Sequence, residues 1–195
     1  MLRALAACAC LLAAPVTAAA EWHISPMVGV TFAGKTTLND LDQATGKVHP
    51  NLSVSGSLLG GGLFGVEAIA SLTPGFFQVD GGTFVKESRA YTIMGNVVVT
   101  APRRWTEYFL RPFVSGGVGL MRATQVDALE VLPASANLFG YNIGGGAIGF
   151  FTNTTGIRFD LRYYGTLHGA DKGAIAFGDV HLRYMTASVG LVIRR

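Results

Sequence analysis

The stretch from Gly156 to Gly165, GIRFDLRYYG, decides the fold. Its centre, Ile157-Arg158-Phe159-Asp160-Leu161-Arg162-Tyr163, alternates a large apolar residue with a charged one at every step. Successive side chains of a strand point to opposite faces, so this segment predicts a β-strand with one apolar and one charged side. In a soluble sandwich the charged side would face bulk water and the rest of the chain would be of ordinary polarity. Here the mean hydropathy is +0.40 with only 14% charged residues. Yet beyond residue 20 no apolar run reaches the roughly 18 to 20 residues of a membrane helix. Together these features predict lipid outside a closed barrel and charges inside it.

The first twenty residues read as a signal peptide. Arg3 forms the positive region, Ala4 to Val16 the apolar region, and Ala18-Ala19-Ala20 a small-residue cleavage signature before Glu21. Residues 21–195 then form one domain, an outer-membrane barrel. Cys8 and Cys10 are the only cysteines and both fall in the leader, so the mature chain has neither disulfides nor thiolate chemistry. Removing Arg3 from the 15 basic residues leaves 14 against 12 acidic ones. That balance points to no nucleic acid or other polyanionic partner.

Alternation predicts eight strands: Trp22 to Ala33, Leu52 to Leu63, Val66 to Leu72, Arg89 to Thr100, Leu110 to Arg122, Leu138 to Phe151, Ile157 to Thr166 and Leu182 to Ile193. Connections at Gly34 to Asn51, Thr73 to Ser88, Ala123 to Asn137 and Leu167 to His181 are long. Those at Phe64-Gly65, Ala101 to Phe109 and Thr152 to Gly156 are shorter. Long loops at one rim and short turns at the other, with both chain ends on the short side, are the layout of an outer-membrane barrel.

Sorting alternate positions places Trp22, Ile24, Val28, Val66, Ile93, Val97, Val114, Val118, Ile143, Phe159, Leu161, Val189 and Leu191 on one face. The opposite face is small or polar and includes His23, Ser25, Ser55, Ser57, Glu67, Asn96, Arg111, Ser115, Asn142, Arg158, Asp160 and Arg162. A charge on the lipid side near the midplane costs roughly 2 to 4 kcal/mol, so Arg158, Asp160 and Arg162 are expected in the lumen. There Glu67 and Asp160 can be set against Arg111, Arg158 and Arg162. Eight strands enclose a space just wide enough to be filled by side chains, and buried charges need partners. The expectation is a structural charge network that plugs the barrel. Aromatics near strand ends, namely Trp22, Trp105, Tyr108 and Phe151, with Phe64, Phe109, Phe150 and Tyr184, are expected as interfacial girdles.

On the stretches GGGLFGVEAIASLTPGFF (Gly60 to Phe77), RPFVSGGVGLMR (Arg111 to Arg122), YNIGGGAIGFF (Tyr141 to Phe151) and GIRFDLRYYG, the chain resembles the small eight-stranded outer-membrane β-barrels. These form the porin-like outer membrane protein β-barrel domain group. The resemblance implies an all-β, closed, antiparallel up-and-down transmembrane barrel in the outer membrane. It also implies outer-membrane lipids and the barrel-assembly machinery as partners, with surface ligands met through the long loops. Such chains commonly end in an aromatic residue read by that machinery, whereas this one ends Val192-Ile193-Arg194-Arg195.

Several stretches imitate other chemistry. GVTFAGKT, Gly29 to Thr36, fits the phosphate-binding loop pattern at every position. A working loop needs an amphipathic helix next, whereas Thr37-Leu38-Asn39-Asp40-Leu41-Asp42 follows. Gly34-Lys35 is therefore read as the turn out of the first strand. His23, His49, His168 and His181 lack metal-ligand spacing, and no metal or cofactor is expected. Ser188, His181 and Asp179 suggest a lipid A-modifying enzyme. Seven residues of strand hold Ser188 on the order of 20 Å from His181, too far for a nucleophile and its base. No catalytic residue is assigned. The reading is a non-enzymatic barrel with a structural or adhesive role; a narrow passive channel comes second and the lipid A enzyme third.

Overall fold

The computed structural model describes residues 21–36, 48–59, 63–76, 85–101, 110–127, 134–168 and 182–195. Trp105, Tyr108 and Phe109 lie outside this set. Eight strands follow in order: β1 (Glu21–Thr36), β2 (His49–Leu59), β3 (Phe64–Pro74), β4 (Val85–Thr100), β5 (Leu110–Asp127), β6 (Ala134–Phe150), β7 (Thr155–His168) and β8 (Leu182–Arg194). Each pairs antiparallel with the next, and β8 returns to β1, with Ile24 opposite Ile193 and Val28 opposite Val189. Closure removes every sheet edge, the condition for a sheet to cross lipid with no unpaired backbone groups.

Inside and outside follow the strand period. On β7, Arg158 and Arg162 are each 1% exposed, while Phe159 and Leu161 between them are 54% and 49% exposed. Around the ring Ile24, Val28, Val66, Ile93, Val97, Val114, Val118, Ile143, Val189 and Leu191 all stand on the outer wall. So many exposed apolar side chains would make a water-facing surface aggregate, and they are at home only against hydrocarbon. Trp22, Phe64 and Phe151 are exposed close to the short-turn rim.

Three boundary expectations are corrected. β2 ends at Leu59 and β3 begins at Phe64, paired with Val99, so Phe64-Gly65 belongs to the strand and not to the turn. β5 reaches Asp127 and β6 begins at Ala134, which makes that long-side connection shorter than expected. Gly34 and Lys35 stay within β1: the β1–β8 register shifts between Phe32 and Lys35, and Ala33 has φ 51°. An extra residue in one strand bulges it without ending it. The girdle assignment also fails for Phe150 and Tyr184, which are buried inside. Both occupy even positions on strands whose even residues face the lumen, and only Phe151, one residue beyond β6, turns outward.

Two apolar clusters fill the lumen. Met27, Ile69, Phe76, Ala90, Met94, Met121, Leu138, Tyr164, Leu182 and Tyr184 form the one toward the long loops. Leu59, Val98, Phe113, Ile148, Phe150 and Val192 form the other, toward the short turns. Along β4 the inward residues run Met94, Asn96, Val98, and along β6 they run Leu138, Asn142, Ile148, so a polar layer lies between the clusters.

Candidate functional site

That polar layer is the most concentrated chemistry among the described residues. β7 contributes Arg158, Asp160 and Arg162, and β3, diametrically opposite in the ring, contributes Glu67. Arg162 donates from Nη2 to Glu67 Oε1 at 2.9 Å and to Asp160 Oδ2 at 3.0 Å, and from Nε to Asp160 Oδ1 at 3.2 Å. Arg158 Nη2 donates to Asp160 Oδ2 at 2.6 Å. It also lies 2.6 Å from Glu67 Oε2, a charge contact off the hydrogen-bond axis. Two guanidiniums thus meet two carboxylates, and the cluster carries no net charge.

Neutral side chains complete it. Arg158 Nη1 donates to Ser55 Oγ at 3.0 Å, and its guanidinium stands 4.5 Å from the centre of the Phe113 ring. Arg162 Nη1 donates to Asn142 Oδ1 at 3.0 Å. Asn142 Nδ2 donates to Asn96 Oδ1 at 2.7 Å, and Asn96 Nδ2 to Glu67 Oε1 at 3.1 Å. The lattice therefore ties β2, β3, β4, β6 and β7 across the lumen. Charge-assisted, bidentate bonds of this kind are stronger than neutral ones and fix geometry as well as energy. Arg111 is buried on the same inner face, on β5.

Toward the long loops an aromatic and hydroxyl layer covers the charges. Tyr164 stacks on Tyr184 with centroids 4.9 Å apart, and Phe76 meets Tyr184 edge-on at 5.2 Å. Ser71 and Thr92 hydroxyls are 2.8 Å apart, Thr31 and Thr73 hydroxyls 3.0 Å, and Asn51 Nδ2 donates to Thr73 Oγ1 at 2.9 Å. Sequence reasoning did not place Tyr164 or Phe76 there. Counting parity along β7 and β8 is the signal that finds Tyr164 and Tyr184, whereas Phe76 lies past the end of β3 and carries no such signal.

At the short-turn rim Glu21 Oε2 lies 3.5 Å from both His23 Nε2 and Arg194 Nη1. Arg194 stands over the Phe150 ring at 4.6 Å and donates from Nε to the Asn153 carbonyl at 2.7 Å. Trp22 and Arg195 exchange backbone bonds at 3.1 and 2.9 Å. The two arginines that follow Ile193 are thus part of the wall and its rim.

Of the other motifs, Gly29 to Thr36 is all β1. Ser188 lies on β8 opposite Asp160, while His181 and Asp179 fall outside the described residues. Among the described residues no group of three or more His, Cys, Asp or Glu is placed to hold a metal ion.

The sequence matches no family model and no curated protein. Solved structures do match, over nearly the whole chain. The Neisserial surface protein NspA superposes with a TM-score of 0.64 at 11% identity, covering 89% of this chain and 96% of that one. The fold is that of the small eight-stranded outer-membrane β-barrels. Two further barrels of this type agree. OprG, an outer membrane protein from Pseudomonas aeruginosa, gives 0.56 at 13% identity, covering 91% and 97%. Ail, the attachment invasion locus protein of Yersinia pestis, gives 0.53 at 12% identity, covering 89% and 99%. Ail has also been solved in complex with the heparin analogue sucrose octasulfate. For an outer-membrane barrel of this size the apolar wall is the lipid face, and the Glu67–Arg158–Asp160–Arg162 lattice lies within its lumen.

Proposed function

We propose that this chain is a non-enzymatic outer-membrane barrel whose lumen is closed by its own side chains and whose loops make contacts at the cell surface. The observation that carries the reading is the neutral lattice of Glu67, Arg158, Asp160 and Arg162, packed between two apolar layers. A solute crossing the lumen would have to separate buried ion pairs, and breaking one such pair costs about 3 to 5 kcal/mol. A closed barrel leaves the loops as the working surface, and the likeness to Ail supports an adhesive role for them.

Two measurements test this. In planar bilayers the purified protein is expected to give no single-channel steps, and regular steps from the wild type would overturn the closed lumen. Cells displaying the protein are expected to bind immobilised heparin better than cells without it, and equal binding would remove this adhesive specificity. One observation favours a second reading, a narrow passive channel. The buried hydroxyls of Ser25, Ser57 and Ser115, on β1, β2 and β5, make no hydrogen bond among the described residues and mark polar positions beside the lattice. The conductance experiment separates the two.

A further inference from the structure

The bulge in β1 has a chemical result on the outer wall. Before it, odd residues of β1 such as Thr31 face inward; after it, Gly34 is buried and Lys35 is exposed. The shift thus turns a lysine that would have entered the lumen out toward the membrane, a recognised use of bulges. There it lies opposite Arg183 of β8, also exposed. Like charges directly opposite each other in a sheet destabilise it, so the pairing calls for an anion. The protein supplies none nearby on this wall among the described side chains. The carboxylates of Glu67 and Asp160 are luminal, and Glu21 lies at the other end of β1.

The same cross-strand row continues through Gly165, which faces Arg183, to Tyr141, which faces Gly165. Gly165 has no side chain, and the Tyr141 ring lies over it; a Cβ there would come within 2.8 Å of that ring. Tyr163, on the same wall, has its ring 6.1 Å from that of Tyr141. Two cations and two phenols therefore gather on the outer wall of β1, β8, β7 and β6, at the long-loop end. Directly along the wall from them, Phe159, Leu161, Val189 and Leu191 are exposed and apolar.

We propose that Lys35 and Arg183, with the Tyr141 and Tyr163 hydroxyls beside them, bind a phosphate group of a phosphorylated glycolipid in the outer leaflet. The acyl chains of that lipid lie along the Phe159, Leu161, Val189 and Leu191 strip. This rests on the outer-membrane reading with the long loops outside the cell. Charge complementarity selects the phosphate, and the adjoining apolar strip selects a lipid-borne phosphate over a free one. Tyrosine at headgroup depth and basic side chains near anionic headgroups are both favourable placements.

The test uses the full mature chain in detergent and native mass spectrometry with bisphosphorylated lipid A, dephosphorylated lipid A or inorganic phosphate. The wild type is expected to retain bisphosphorylated lipid A at least about tenfold better than the dephosphorylated form. The double variant Lys35→Gln, Arg183→Gln is expected to lose that preference, and Lys35→Arg to keep it. Equal retention of the two lipids, an unchanged double variant, or displacement by millimolar inorganic phosphate would each overturn the proposal. Heat-dependent gel mobility, run on every sample, separates this failure from failure of the membrane reading: a barrel that inserts yet shows no preference refutes only the lipid site.

Discussion

On β7 the inward positions 158, 160 and 162 hold Arg, Asp and Arg, whereas on β6 the residues facing Asp160 and Arg162 in register are Gly146 and Gly144. One strand supplies bulk and charge, and its neighbour supplies room. A Cβ added at Gly146 would fall 1.8 Å from the Phe159 carbonyl oxygen, and one at Gly144 2.7 Å from that of Leu161. Across the wall, at outward-facing Gly95, an added Cβ would meet nothing within 4 Å. At Asp160 and Arg162 the glycines let β6 lie close against the β7 backbone, so this part of the charge lattice is a property of a strand pair.

The largest effect should come from β7 itself. Arg162→Leu removes four hydrogen bonds to Asp160, Glu67 and Asn142 and leaves two buried carboxylates to share Arg158. It is expected to lower stability by about 3 to 5 kcal/mol in urea unfolding from lipid vesicles. An unchanged midpoint for this variant and for Arg158→Leu would show that the lattice does not hold the barrel together. Turning the same strand's other face polar comes next. Leu161→Arg places a charge in lipid and should cost roughly 2 to 4 kcal/mol in the same assay, and neutrality there would undo the inside–outside assignment.

The β6 side of the comparison is sharpened by a matched pair. Gly146→Ala forces the β6–β7 pairing apart and is expected to cost about 1 to 3 kcal/mol. Gly95→Ala should stay within about 0.5 kcal/mol. Equal effects would mean that the luminal glycines are not making room. A modest change is expected away from both strands' inward positions. Arg194→Gln loses a partly exposed pair with Glu21 at 3.5 Å and the exposed Nε bond to the Asn153 carbonyl, and stability in the same assay should fall by about 1 kcal/mol.

How far these arrangements can be read in the sequence follows from the same contrast. β7 states its two faces outright, because charged and apolar residues alternate without exception from Ile157 to Tyr163. β6 is nearly silent, since Gly144, Gly145 and Gly146 carry no hydrophobic signal for either face. Strand number, order and the inward placement of Glu67, Arg158, Asp160 and Arg162 were legible because a one-residue slip would have put charges in lipid. Asn96, Asn142 and Ser55 could be placed on the inner face, but not joined to particular arginines, because that depends on the register and stagger of strands far apart in sequence. Phe150 and Tyr184 were misread since an aromatic near a strand end suits a membrane interface and a luminal cap equally well. The β1 bulge was invisible because Ala33 is a residue type that seldom adopts positive φ.

The lattice also bears on how the barrel can assemble. Arg158, Asp160 and Arg162 sit two residues apart and can find each other as soon as β7 extends, but that trio alone keeps one positive charge in excess. The balancing carboxylate, Glu67, is 95 residues away from Arg162 on the far wall. The four-residue lattice therefore becomes electrically neutral only when the first half of the chain is brought round to face the second. Ring closure and charge cancellation are then a single event, and a half-formed sheet has an electrostatic reason to finish the circle rather than rest open in the lipid.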